Sequence, residues 1–138
     1  MNRPLPLLLT LGLLCQGTLA EPKTIHVITN DKSINALNKK KIKQIYMAGD
    51  YSEIEPLTFA KGNQWRVVFN HAVIGLQESR INAYWAQMKF TGRAEPPLEF
   101  ENEQAILGYL KNNPGCIAYV PAHINLPPEI RVLYTINY

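Results

Sequence analysis

The stretch that decides the fold is residues 113–120, Asn-Pro-Gly-Cys-Ile-Ala-Tyr-Val. Pro114 and Gly115 end any preceding helix, and the short apolar run after them predicts a buried strand over residues 116–120. Upstream, Asn102 is suited to cap a helix, with Glu103 near its positive end and Lys111 near its negative end. The C-terminal third therefore predicts a helix that leads directly into a core strand.

The same helix and strand signals recur on both sides of this segment. β-Branched or alternating apolar residues predict strands over residues 24–29, 54–60 and 131–134, the last at a sheet edge. Pro56 indicates that the second of these strands starts late or lies at an edge. Helices are predicted from the caps Asn38, Asn63 and Ser79 to about Met47, Ile74 and Lys89, and residues 91–97 are predicted to form a loop. Together these elements predict an α/β sandwich, in which helices cover a small mixed sheet.

The first twenty residues have the pattern of a secretory signal peptide. Arg3 provides the positive start, residues 5–14 are mostly apolar, and small residues lie at 18 and 20. The apolar run is shorter than the roughly 20 residues that a membrane span needs, so we expect cleavage before Glu21, a periplasmic protein and no stable membrane insertion. Leu14 disfavours lipidation of Cys15, because such sites generally follow a small residue.

Residues 21–138 are expected to form one domain with a weak charge bias. They contain 13 basic and 11 acidic residues, a formal charge of +2, which does not indicate nucleic-acid binding. Their single cysteine, Cys116, cannot form an internal disulfide. It is either buried and inert or paired with another molecule, and its apolar neighbours favour burial.

Several segments, in order, carry a family resemblance that covers about 100 residues. They are Val-Ile-Thr-Asn at 27–30, Leu-Asn-Lys-Lys-Lys-Ile-Lys-Gln-Ile-Tyr-Met-Ala-Gly at 37–49, Arg66-x-x-Phe69, Tyr84-Trp85 with Phe-Thr-Gly at 90–92 and Pro96-Pro97, and the stretch at 113–120. This order resembles the phosphate-binding proteins of bacterial ABC transporters, in the type II periplasmic binding protein superfamily. The resemblance implies one lobe of a fold in which two lobes clamp the ligand.

The sequence departs from that family at the stretch that would hold phosphate. Family members carry Ser-Gly-Thr at the start of a lobe helix, where hydroxyls and backbone N–H groups bind oxyanion oxygens. Here the corresponding residues are Asn63-Gln64-Trp65, which lack those hydroxyls. Ala118 also replaces a family glycine, a change that we expect to affect packing only.

The candidate ligand-binding residues surround the start of the helix capped by Asn63. They are Lys61, Asn63, Gln64 and Arg66, and free N–H groups at a helix start favour an anion. We expect a small oxyanion, with phosphate one candidate, and a role as an accessory to uptake or sensing. An ordinary capped helix with solvated cations remains an alternative. The alternative function for the whole protein is a ligand-free interaction module that docks on a membrane sensor or transporter subunit.

Other functions receive little support from the sequence. His26, His71 and His123 have no metal-ligand spacing, no carboxylate pair is arranged for acid–base chemistry, and no nucleophile motif is present. We therefore expect no enzyme, no metal and no cofactor. Lys39, Lys40, Lys41 and Lys43 form either a solvated helix face, which we favour, or a docking surface for an acidic partner or membrane.

Overall fold

The structure is a computed structural model that describes residues 23–92 and 94–138, together with Gly12 and Gly17. The signal-peptide features at Arg3, at the leucines, at Cys15 and at Thr18–Ala20, and the predicted start at Glu21, lie outside the described residues. Within the part of the chain that is described, no helix is long and apolar enough to cross a bilayer.

The described chain forms five strands and four helices. The strands are β1 (Thr24–Thr29), β2 (Glu55–Phe59), β3 (Leu98–Phe100), β4 (Cys116–Pro121) and β5 (Arg131–Asn137). The helices are α1 (Lys39–Met47), α2 (Gln64–Phe69), α3 (Glu78–Phe90) and α4 (Glu103–Asn112). A π-helical turn, Asn70–Ile74, continues α2.

The strands form one mixed sheet in the order β3-β2-β4-β1-β5. β2 runs parallel to both β3 and β4, whereas β1 runs antiparallel to β4 and β5. All six residues of β4 are buried, and successive side chains of a strand point to opposite faces, so both faces of the sheet are covered at β4. The predicted α/β sandwich and the buried strand after Gly115 are therefore confirmed.

An aromatic cluster packs α1 and α2 onto the central strands. Phe69 of α2 stacks in parallel on Tyr119 of β4, with ring centroids 3.8 Å apart, and Tyr46 of α1 lies 4.7 Å from Phe69. The Tyr119 hydroxyl is 2.6 Å from Thr58 Oγ1, and the Tyr46 hydroxyl donates to the Leu57 carbonyl at 2.8 Å. These bonds satisfy buried hydroxyls, so the cluster fixes the orientation of α2 above β2 and β4.

Gly49 allows the segment after α3 to approach the end of α1. Its φ of 75° is left-handed, as the sequence predicts for a residue that follows a helix end. A Cβ at this position would lie 2.4 Å from Ala94 Cβ, and the Glu95 N–H donates to the Gly49 carbonyl. The close contact positions the chain before Pro96, which lines both pockets described below, and Pro97, which lines the smaller one.

The cap of α3 was predicted wrongly, one of the two predicted alternatives for Pro56 holds, and one strand was not predicted. β2 is an inner strand, so Pro56 does not mark an edge; the strand instead starts late, and Pro56 is its second residue. α3 begins after Gln77, whose side chain makes no capping hydrogen bond, and Ser79 lies inside the helix. Arg66 and Asn70 bind the carboxylate of Glu78 in its first turn. The predicted loop is followed by β3, a strand of three residues, which is too short for a sequence pattern to reveal.

Candidate functional site

Asn63 begins α2 in the manner that the sequence predicts. Its Oδ1 accepts a hydrogen bond from the Trp65 backbone N–H at 2.8 Å, so this oxygen is occupied by the helix itself. Gln64, the first residue of α2, is exposed. Lys61 lies in the turn before the helix and is also exposed.

Arg66 lies one turn into α2 and is only 6% exposed. Its Nε and Nη2 bind the two carboxylate oxygens of Glu78, and its Nη1 donates to the Phe59 carbonyl at 2.8 Å. Nη1 also lies 3.1 Å from Glu99 Oε1, on the neighbouring strand β3. The Asn70 side chain adds a fourth polar group, donating to Glu78 at 2.8 Å. We call these residues, Arg66, Asn70, Glu78 and Glu99, the arginine cluster.

The electrostatics of the arginine cluster make Arg66 a fixed cation. Burial acts to lower the pKa of the guanidinium, but its hydrogen bonds to Glu78 and Glu99 outweigh burial and raise that pKa above its ordinary value. One guanidinium faces two carboxylates, so the cluster as a whole has a formal charge of −1. The positive charge of Arg66 is therefore largely neutralised before any ligand arrives.

A surface pocket of about 200 Å³ lies directly beside the arginine cluster. We call it the lysine pocket, because Lys61 and Lys89 are its exposed cations. Among the described residues, neither ammonium lies within 4.0 Å of a carboxylate oxygen. The other residues that line the pocket are Arg66, Asn82, Trp85, Ala86, Pro96 and Glu99.

A second, much smaller cavity lies deeper, between the arginine cluster and the Pro96–Pro97 segment. Its volume is about 30 Å³, and Thr58, Arg66 and Asn70 contribute polar groups to its lining. A space of this size holds about two or three water molecules, given the roughly 10–15 Å³ that one requires. We therefore place the candidate ligand site in the lysine pocket and not in this cavity.

The structure brings only two of the four predicted site residues together. Lys61 and Arg66 line the lysine pocket, whereas Asn63 and Gln64 do not. Lys89 and Asn82 line it and were missed by sequence reasoning, although both lie on the side of α3 that includes Ala86. The spacing of Asn82, Ala86 and Lys89 predicts a shared helix face, since residues three and four apart are neighbours, but it does not predict that this face meets Lys61.

The remaining chemistry-bearing residues lie in structural surroundings. Cys116 is 1% exposed, which confirms its predicted burial, and its thiol lies 3.5 Å from Glu55 Oε2. Burial, together with the Glu55 carboxylate, raises the pKa of the Cys116 thiol to about 12, the opposite of an activated nucleophile. Within residues 23–92 and 94–138, no group of three His, Cys, Asp or Glu residues could hold a metal ion.

No protein-family model matches the chain, and no curated protein matches it in sequence. Its fold, however, is similar to solved structures of two transport proteins. One, from Clostridium perfringens and assigned as a phosphate ABC transporter substrate-binding protein with bound phosphate, has a TM-score of 0.61 at 15% identity. The other, an ABC-type phosphate transport receptor from Vibrio cholerae, has a TM-score of 0.59 at 9% identity.

Each of these similarities covers 81% of this chain. Each covers only 44% or 46% of the other protein, so the chain spans less than half the length of either. The predicted fold resemblance is thereby confirmed, and the coverage agrees with the prediction of a single lobe. Both of these solved proteins are described as binding or receptor components of transport and not as enzymes.

Proposed function

We propose that this protein is a solute-binding lobe that holds a small oxyanion, such as phosphate, in the lysine pocket. The observation that carries the proposal is the presence of two exposed lysines, from the turn before α2 and from α3, at one pocket. In this proposal the protein is exported to the periplasm, has no enzymatic activity and assists uptake or sensing.

The charges that line the lysine pocket favour an anion. Within the described part of the chain, Lys61 and Lys89 contribute unpaired positive charge, whereas the charge of Arg66 is neutralised by the two carboxylates of the arginine cluster. Glu99 is the one acidic residue among the described residues that line the pocket. Exposed lysines can turn toward a ligand, and an ammonium binds phosphate as a compact point charge. Asn82 adds an amide N–H₂ that can donate to an anion oxygen.

The same geometry limits the affinity. Good ligand pockets bury roughly 70–90% of the ligand surface, and an open pocket on one lobe leaves its outer side in water. Exposed charges are also screened by salt, with a Debye length of about 8 Å at physiological ionic strength. We therefore expect weak, salt-sensitive binding unless a second chain covers the pocket.

Arg66 and Asn63 support the site without being its main contacts. Arg66 lines the lysine pocket and also belongs to the arginine cluster, in which Glu78 occupies two of its nitrogen atoms. Asn63 holds the start of α2 in place, directly after the turn that contains Lys61. Gln64 is exposed beside this turn and remains a candidate contact for a larger ligand.

Calorimetric titration of the purified protein with phosphate and with sulfate at low salt tests the proposal. The Lys61→Gln/Lys89→Gln variant is expected to lose about tenfold or more in affinity. A tenfold loss corresponds to about 1.4 kcal/mol, which is a small free energy for the removal of two charged contacts. The matched control is Lys39→Gln/Lys40→Gln, which removes the same charge from exposed positions on α1. Equal losses of affinity in both variants would show that only the net charge of the protein matters, which would contradict a site at the lysine pocket.

A second candidate function, an interaction module that docks on a membrane transporter or sensor subunit, is favoured by the neutralised charge of Arg66. An arginine already bound by two carboxylates is poorly suited to bind a ligand anion. Lys39, Lys40, Lys41 and Lys43 are all exposed and offer a surface for an acidic partner. A photo-crosslinking residue at position 40, compared with one at the exposed Glu101, tests this function in intact cells. Crosslinking to one membrane protein from position 40 alone supports the module, and equal crosslinking from both positions contradicts it.

A further inference from the structure

Phe90, the last residue of α3, is 95% exposed, which is exceptional for a large aromatic side chain. It lies four residues after Ala86 and eight after Asn82, both of which line the lysine pocket. Residues four apart are neighbours on a helix surface, so Asn82, Ala86 and Phe90 form one row along α3. This row places Phe90 one turn beyond Ala86, close to the pocket although Phe90 is not one of its lining residues.

We infer that the lysine pocket takes an organic anion, in which a flat apolar group is attached to the charged group, in preference to a bare inorganic ion. The inference rests on the proposed function, since it assigns a ligand class to the same site. The charged group would lie between Lys61 and Lys89, and the apolar group would extend along α3 toward Phe90. Aromatic phosphates and aromatic carboxylates both have this chemistry.

The lining of the pocket agrees with a ligand of two parts. Besides its charged groups, the pocket has apolar surface from Trp85, Ala86 and Pro96. A bare tetrahedral ion has no group to place against such surface. An aromatic ring can stack on a protein ring, and burying it removes apolar area from water.

The size of the pocket also favours an anion that carries an apolar group. Its volume of about 200 Å³ is more than ten times the roughly 10–15 Å³ needed for one water molecule. A phosphate or sulfate ion alone would leave much of this space to solvent. A phenyl ring attached to the anion would fill more of it and bring the exposed face of Phe90 into contact.

Titration of the purified protein with inorganic phosphate and with phenyl phosphate, under identical salt and pH, tests the inference. We expect phenyl phosphate to bind about fivefold or more tightly than inorganic phosphate, as one added aromatic contact would produce. The Phe90→Ala variant is expected to lose most of this preference while its affinity for inorganic phosphate stays unchanged. Val132→Ala, which also removes an exposed apolar side chain but lies on β5, is the matched control.

The outcomes separate the inference from the proposed function. Equal affinities for the two phosphates, with no effect of Phe90→Ala, would overturn the inference and leave the proposed oxyanion site standing. A preference for phenyl phosphate that Phe90→Ala and Val132→Ala reduce equally would also overturn it, since the ring would then bind without specific contact. Absence of binding by either phosphate would overturn the proposed function and the inference together.

Discussion

The arginine cluster and the lysine pocket have Arg66 and Glu99 in common, but their cations differ in burial and in pairing. Arg66 is buried and bound by two carboxylates, whereas Lys61 and Lys89 are exposed and have no carboxylate within 4.0 Å among the described residues. A buried cation is costly to leave unpaired, so the fold supplies its counter-charges permanently. Exposed cations carry little such cost and remain able to bind an external anion. Burial, more than residue type, therefore separates the structural cation from the two cations that the proposed function assigns to the ligand.

The largest effect that tests this comparison is expected from Arg66→Met. Its removal leaves the half-buried carboxylates of Glu78 and Glu99 without their cation and close to each other. We expect unfolding free energy to fall by about 2–3 kcal/mol, between the values for buried and for surface ion pairs, because both carboxylates are partly exposed. Urea denaturation monitored by tryptophan fluorescence measures the change.

Lys111→Met provides the matched control for Arg66→Met. Lys111 also pairs with a carboxylate, that of Glu129 at 3.8 Å, but its side chain is 63% exposed. We expect this variant to lose less than about 1 kcal/mol. If both variants lost the same stability, Arg66 would not be the structural cation that the comparison requires.

Asn63→Ala is expected to have an intermediate effect that is confined to stability. The Asn63 side chain accepts from the Trp65 N–H, and loss of such a cap typically costs about 1 kcal/mol. Because Asn63 does not line the lysine pocket, its removal should leave anion affinity unchanged when measured well below the melting temperature. A loss of anion affinity as large as that of the Lys61→Gln/Lys89→Gln variant would show that Asn63 contacts the ligand.

Local sequence signals predicted those parts of the fold that local physics determines. Asn38, Asn63 and Asn102 cap helices as expected, because a side-chain oxygen at that position satisfies a free N–H of the same turn. β3 escaped prediction because three residues carry no usable pattern, and it exists through its register with Leu57–Phe59 of β2. Its identification required the sheet.

The candidate site was predicted only in part, for the same reason. The sequence placed Lys61 and Arg66 together because both lie near the start of one helix. It could not show that Glu78, from the next helix, and Glu99, from β3, neutralise Arg66, since those contacts exist only after the elements pack. Nor could it show that α3 brings Lys89 to the same pocket as Lys61.

Glu99 belongs to both regions, and Glu99→Gln is expected to produce the smallest and most informative effect. Its carboxylate pairs with Arg66 and also lines the lysine pocket, where it opposes a bound anion. A unit charge about 6 Å from the ligand in water-like surroundings contributes roughly 0.7 kcal/mol, so its removal should raise anion affinity about threefold. Calorimetric titration with inorganic phosphate at low salt measures the gain, which should shrink as salt is added.

Glu78→Gln is the matched control for this gain in affinity. Glu78 also binds Arg66, but it does not line the lysine pocket. This variant should lose more stability than Glu99→Gln, because Glu78 accepts from both Arg66 and Asn70, and it should gain less in affinity. An equal gain in both variants would mean that releasing Arg66, and not removing a repelling charge, creates the anion site. The arginine cluster would then be a competitor of the ligand, and the division between the two regions would have to be abandoned.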